Sequence, residues 1–347
     1  MIAGLAAYAV AAPTPAPQTP IPGGSLGASD YQSLGDPRVD PSAFAQALSG
    51  LGVTFTRVWL LDAWATGTGE TGSYEGVLPV TRRNDGRWDL FTWNDHYFQR
   101  LQTYAREMNQ RGITPVFTLL ELYSWSEAKQ GLLWVPDQDR GLFRANVNGI
   151  RWGRPDSPTF GALPDRWLRE FSCRVVDTLT GTRFVVELGN EMPDAPMHDR
   201  VLAHLRTTCG YSGEVWVNRE HDTPDLFSTL DLGRRYDRWS IHGAAALSYL
   251  DEPRGKGPSR TFRALYESGI DMGRIVVSSD GARASTDVEL AYDYAGLTAV
   301  ATDILRRGGS YEHQLAIKLR RFRDGRYDLA DVKYDEAFLR GLAAVAR

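Results

Sequence analysis

Two hydrophobic patterns alternate along the chain. FTRVWLL (55–61), TPVFTLL (114–120), RFVVEL (183–188), EVWVN (214–218), DRWSIH (237–242) and RIVVSS (274–279) are short, nearly continuous apolar runs rich in β-branched and aromatic residues. Such runs mark strands buried on both faces. Between them the period changes to that of a helix. NDHYFQRLQTYAREMNQRG (94–112) sets Tyr97, Leu101, Tyr104 and Met108 on one face, and Gly112 stands where the helix should stop. PSAFAQALSGLG (41–52) and DRWLREFSCRVVDTLTG (165–181) predict further helices ahead of the first and third of these strands.

Strands and helices in alternation predict a parallel sheet covered by helices. A first strand near 24–30 and a last one near 310–316 bring the strand count to eight, which predicts an α/β fold closed as a (β/α)8 TIM barrel. A doubly wound open sheet is the alternative, but no Gly-rich phosphate turn follows the first strand. The last strand is the least defined, because SYEHQLAIKLRRF (310–322) also fits a helix.

The 347 residues suit one barrel domain, over 24–347, preceded by an apolar and Pro-rich tail over 1–23. The tail begins MIAGLAAYAVAA, too short to span a bilayer and without the basic start of a secretory signal. PTPAPQTPIPGG follows as a stiff linker, so the tail could attach the barrel to a larger assembly. Localisation stays open on this pattern, with an extracellular or surface position suspected. Charged residues make up 24% and the formal net charge is −4, which argues against a nucleic-acid partner. Cys173 and Cys209 have no zinc or redox-motif spacing, and Cys173 falls within a helical apolar pattern. A buried free thiol is the expectation there, ahead of a disulfide. No metal or cofactor is implied by the residue pattern. Ten tryptophans fit either core packing or the stacking of sugar rings.

In such a barrel the chemistry sits at the carboxyl ends of the strands. Read there, the sequence offers Arg57 with Trp64 beyond the second strand, then Glu121 and Trp125 beyond the third. Asn190 and Glu191 end the fourth, Asn218 and Glu220 the fifth, His242 the sixth and Asp280 the seventh. Carboxylates, an arginine, a histidine and aromatics together suit cleavage of an acetal, with one acid protonating the leaving oxygen and a second carboxylate serving the anomeric carbon. Each residue also has a plainer use. Glu191 could cap a loop, Asp280-Gly281 is a turn dipeptide, Arg57 could form a structural ion pair, and Trp59, Trp216 and Trp239 read as packing.

DPRVDPSAFAQALSGLGVTFTRVWLL, WDLFTWNDHYFQRLQTYAREMNQRGITPVFTLL and the strand end ELGNEM resemble the cellulase-like superfamily (clan A) of retaining glycoside hydrolases, over roughly Gly24 to Gly281. The resemblance implies a carbohydrate substrate and hydrolysis of O-glycosidic bonds. It makes Glu191 the general acid/base and gives Asn190 the sugar 2-hydroxyl. Arg57 would brace the nucleophile, and His242 would line the site. Trp64, Glu121, Trp125 and Glu220 are further candidates for substrate contact. One departure stands out. The clan places a glutamate at the end of the seventh strand, where IVVSSDGAR offers Asp280. An aspartate reaches about 1.5 Å less far, one C–C bond, and retaining and inverting pairs differ by only a few ångströms (about 5–5.5 against about 6.5–9.5 Å). A barrel that has lost hydrolysis and serves as a glycan-binding or structural module is the competing expectation.

Overall fold

The computed structural model describes residues 18–29, 33–35, 37, 39–61, 77–120, 146–150, 164–190, 195–218, 235–241, 265–279, 294–314, 322–323, 326–327 and 333–346. Within them, eight parallel strands form a closed barrel. They are β1 (Leu26–Ser29), β2 (Phe55–Trp59), β5 (Thr114–Thr118), β6 (Val185–Glu187), β7 (Val215–Val217), β8 (Arg238–Ile241), β9 (Ile275–Ser279) and β10 (Ser310–Gln314). Around the barrel the order is β1-β10-β9-β8-β7-β6-β5-β2, so each strand pairs with its sequence neighbours in the barrel. The ambiguous 310–316 segment is resolved as a strand over Ser310–Gln314, paired in parallel with both β1 and β9.

The helices follow the predicted periods. Helix α1 (Pro41–Gly50) begins at Asp40, whose carboxylate accepts from the Ser42 amide at 3.1 Å, with Pro41 in the first turn. Helix α2 (Asp95–Gln110) buries Tyr97, Leu101, Tyr104 and Met108, the face read from the sequence. Helix α3 (Asp165–Thr178) buries Trp167, Leu168, Phe171 and Val175. Helices α4 (Ala195–Ala203), α5 (Tyr294–Arg306) and α6 (Lys333–Ala343) follow, and α4 continues into one π turn over His204–Thr208.

Between β2 and α2 the chain forms an antiparallel hairpin, β3 (Val80–Arg82) with β4 (Trp88–Trp93), that sequence reading missed. Its signal was the Asp85-Gly86 dipeptide. Gly86 takes φ 83° in the turn, where a side chain would be strained. The hairpin packs on α3, with Trp93 stacked on Phe171 at 6.1 Å and the Trp167 indole donating to the Leu90 carbonyl at 3.1 Å. A minor two-stranded pair, β11 (Phe322–Arg323) with β12 (Arg326–Tyr327), lies after the barrel strands in the chain.

Inside the barrel the side chains sort by height. Phe55, Val116, Val185, Trp216 and Val276 form a buried cluster separate from the main core, joined by Ile21. Gly27 belongs to this tier because a Cβ there would stand 2.3 Å from the Phe55 ring. Strand side chains alternate, so the residues two positions further along point inward as well. That next tier is wholly polar: Ser29, Arg57, Thr118, Glu187, Asn218, Ser278 and, from the remaining strands, Ser240 and Glu312, all 0% exposed.

The N-terminal mouth is closed from below. The Ile21 amide donates to Glu214 at 2.7 Å, and Arg238 donates to Glu214 at 2.6 Å, to Ser310 at 3.0 Å and to the Ile21 carbonyl. Gln18 bridges the Thr182 carbonyl and the Phe184 amide. The last residues of the Pro-rich stretch thus pack as the floor of the barrel.

The expectation of a free thiol at Cys173 is overturned. Cys173 on α3 and Cys209, just past the π turn, form a disulfide with Cα atoms 4.6 Å apart. They stand 36 positions apart in sequence, and only the packing of α3 on the segment after α4 brings them together. Their spacing in the chain carried no such signal.

Candidate functional site

The polar tier lies toward the carboxyl ends of the strands, where barrels of this kind carry chemistry. Its centre is Arg57. From β2 the guanidinium reaches across to β6, donating through Nε to Glu187 Oε2 at 2.7 Å, with Nη2 2.6 Å from the same oxygen. Nη2 also donates to the amide oxygen of Asn190 at 2.7 Å. Thr118 from β5 donates to Glu187 Oε2 at 2.5 Å. Both charged side chains are 0% exposed, so each has given up its hydration for this contact.

Asn190 follows the end of β6 and is held from two sides. Its backbone N–H donates to the Leu120 carbonyl at 2.8 Å, tying the β6 end to the β5 end. Its Oδ1 accepts from Arg57, which fixes the orientation of the side-chain amide and turns Nδ2 away from the guanidinium. At 1% exposure Asn190 sits beneath the molecular surface. Asn218, beyond β7, donates through Nδ2 to the Ser240 carbonyl at 2.8 Å and joins two strand ends.

Glu312 completes the tier. It is fully buried on β10, beside Ser29 and Ser278 of the two neighbouring strands. Burial pushes this carboxyl above the usual glutamic acid range. The Arg57 charge and the two hydroxyls oppose that rise, and the Glu187 charge adds to it.

Of the residues singled out in the sequence, Arg57 and Asn190 are brought together as a bonded pair. The contacts of Arg57 described above run to the fourth barrel strand and Asn190, whereas the resemblance aimed it at the end of the seventh. Glu191, Asp280, His242, Trp64, Glu121, Trp125 and Glu220 lie outside the described residues. Trp216 and Trp239 are buried, in keeping with a packing role, and Trp59 is half-buried.

Sequence reading missed Glu187 and Glu312. For Glu187 the signal was a carboxylate within the apolar run RFVVEL, which requires an inward-facing partner, whereas the polar strand SYEHQ gave Glu312 none. Among the described residues no group of three or more His, Cys, Asp and Glu side chains is arranged to hold a metal ion. Nor does any described helix have the length and apolarity to cross a membrane.

No protein-family model matches the sequence, and no curated protein matches it. The solved structures do. A glycoside hydrolase family 5 enzyme from Prevotella bryantii B14 superposes with TM-score 0.58 at 9% identity, over 92% of this chain and 95% of that one. A GH5-4 broad-specificity endoglucanase from an uncultured bacterium gives TM-score 0.56 at 11% identity, over 93% and 94%. The shared fold is the (β/α)8 barrel. An endo-1,4-β-D-mannanase from Thermotoga petrophila RKU-1 shares it, with TM-score 0.54 at 14% identity over 92% and 99% of the two chains. Likeness at this identity is a likeness of architecture, and the chemistry rests on the side chains described above.

Proposed function

We propose that this chain is a glycoside hydrolase that cleaves O-glycosidic bonds of a poly- or oligosaccharide with two carboxylates. The observation that carries the reading is the Arg57–Asn190 bond at 2.7 Å. A buried guanidinium is spent on orienting an amide at the end of the fourth barrel strand, immediately before Glu191 in the chain. A residue that only caps a loop needs no such support.

In this reading Glu191 protonates the leaving oxygen, and Asp280 attacks the anomeric carbon or directs a water to it. Asn190 steadies the strand end that presents the acid. His242, Trp64, Glu121, Trp125 and Glu220 contribute substrate contacts. The fold neighbours named for glucan, mannan and, in one further case, xyloglucan cleavage supply the substrate panel. The disulfide supports an oxidising compartment, hence an exported protein, and the tail upstream of residue 18 would serve for attachment to a larger assembly.

The deciding experiment incubates the parent and Glu191→Gln with β-glucan, mannan and xyloglucan and measures new reducing ends. The parent should release them, and the variant should be slower by about 10²- to 10⁴-fold, the usual contribution of a positioned acid. Equal rates in the two proteins would overturn the assignment of Glu191. Binding by the parent without release would assign the chain to the second reading, a glycan-binding barrel, which the aspartate at position 280 favours.

A further inference from the structure

An arginine and a carboxylate side by side ordinarily pair as a fork, one N–H to each oxygen. Arg57 and Glu187 meet differently. Nε donates to Oε2 at 2.7 Å, and Nη2 stands 2.6 Å from the same oxygen. The Thr118 hydroxyl donates to Oε2 as well, at 2.5 Å. Oε1 is buried and has no hydrogen-bond partner among the described residues. Leaving one oxygen of a buried carboxylate without a donor is unfavourable, so the pose has to be held by something outside the ion pair. Thr118 is placed to hold it. It is the register partner of Glu187 across the β5–β6 ladder, and both side chains point into the barrel.

We propose that Thr118 is a positioning residue: its hydroxyl pins the Glu187 carboxyl at Oε2 and so fixes how Arg57 presents Nη2 to Asn190. The proposal rests on the reading of Asn190 as part of the site, though its physics does not need turnover. The guanidinium is planar and rigid, so the place of Oε2 sets the direction in which Nη2 faces the Asn190 oxygen. Without the hydroxyl the carboxyl is free to turn about its Cγ–Cδ bond. Oε2 then keeps Nε while Oε1, which now accepts nothing, takes Nη2, giving the ordinary fork. Nη2 is drawn toward Oε1, and its bond to Asn190 Oδ1 weakens. Asn190 cannot follow as a body, because its backbone N–H is tied to the Leu120 carbonyl. Thr118 acts through Glu187 and Arg57 and touches no substrate, which suits a fully buried side chain.

The test compares the parent with Thr118→Val, which keeps the shape and removes the hydroxyl, and with Thr118→Ser, which keeps the hydroxyl and removes the methyl. Each protein is labelled with ¹⁵N-asparagine, and the side-chain amides of Asn190 and Asn218 are followed by NMR, assigned through Asn190→Asp and Asn218→Asp. The Asn190 signals should move in Thr118→Val and return to the parent's positions in Thr118→Ser. Asn218, bonded to Ser240 in the same tier, should keep its signals in all three proteins. A packing role for Thr118 gives the reverse pattern, with Asn190 displaced by loss of the methyl. Asn190 signals unmoved in Thr118→Val, displaced equally in Thr118→Ser, or moving together with those of Asn218 overturn the proposal. Should Thr118→Val fail to fold, the parent labelled at threonine replaces it: the Thr118 hydroxyl proton must be protected from exchange with water, and one that exchanges freely overturns the proposal equally. Because no substrate is added, failure here is separable from failure of the hydrolase reading, which the reducing-end assay decides.

Discussion

Arg57 donates from Nη2 to the Asn190 amide oxygen at 2.7 Å, linking residues 133 positions apart in the chain. The same guanidinium is fully buried against Glu187. A buried ion pair is weak evidence of stability in itself, yet breaking one half strands the other.

Arg57→Met should therefore lower unfolding stability by about 3–5 kcal/mol, because Glu187 is left charged and unmatched in the interior. The double variant Arg57→Met/Glu187→Leu should be more stable than the single one, as both charges are then gone. Urea denaturation of the four proteins in the cycle measures the coupling. A single-variant loss below about 1 kcal/mol, the scale of an exposed pair, would contradict the burial of this contact.

Most of the barrel can be read from the sequence, because burial on both faces leaves parallel strands as apolar runs. RFVVEL, EVWVN and RIVVSS all contain barrel strands, at Val185–Glu187, Val215–Val217 and Ile275–Ser279. Features that depend on distant partners could not be read. Glu187 looks like one more residue of a strand until Arg57, 130 positions earlier, is seen beside it. Cys173 reads as helix core until α3 is seen against the turn that carries Cys209. The hairpin was in principle accessible through Asp85-Gly86. Its β4 strand WDLFTW runs directly into the strongly periodic α2, which masked a change of period within a few residues.

The disulfide closes a loop of 36 residues and ties α3, which precedes β6, to the segment after α4, which follows it. Loop-closure entropy for that length corresponds to about 3–4 kcal/mol. Cys173→Ser should lower the stability by that order, and dithiothreitol should lower the parent to the level of the variant. Denaturant midpoints under oxidising and reducing conditions check both. A parent insensitive to the reductant, with free thiols demonstrated, would show that the bridge adds nothing to the fold.

Asp280→Glu tests whether carboxylate reach governs the proposed chemistry. The longer side chain advances the carboxyl by about 1.5 Å, the difference that separates a direct nucleophile from one that leaves room for water. Turnover on the best polysaccharide should rise by about tenfold, ~1.4 kcal/mol in the barrier, and the first-formed product should keep the anomeric configuration of the substrate. Proton NMR of the fresh reaction mixture reads the configuration. A variant that is slower and yields the opposite configuration would mean that Asp280 works by directing a water and that its shortness is required.

Glu312 also makes a claim on stability. Its carboxyl is raised in the folded protein, first by burial and further by the Glu187 charge, whereas in the unfolded chain it titrates near the ordinary value of about 4.3. The folded state thus holds this proton more tightly. Its contribution to stability is complete below about pH 4 and is lost as pH rises through the folded value, because the unfolded chain then ionises more readily than the native one. Glu312→Gln cannot ionise and escapes that loss. Measured by urea denaturation from pH 4 to pH 8, the parent should fall relative to the variant as pH rises, with the gap levelling off once the native carboxyl is charged. Carboxylates common to both proteins cancel in the difference, so the slope belongs to position 312. Parallel curves would mean that Glu312 titrates alike in both states, and that neither its burial nor its neighbours distinguish its charged form from its neutral one.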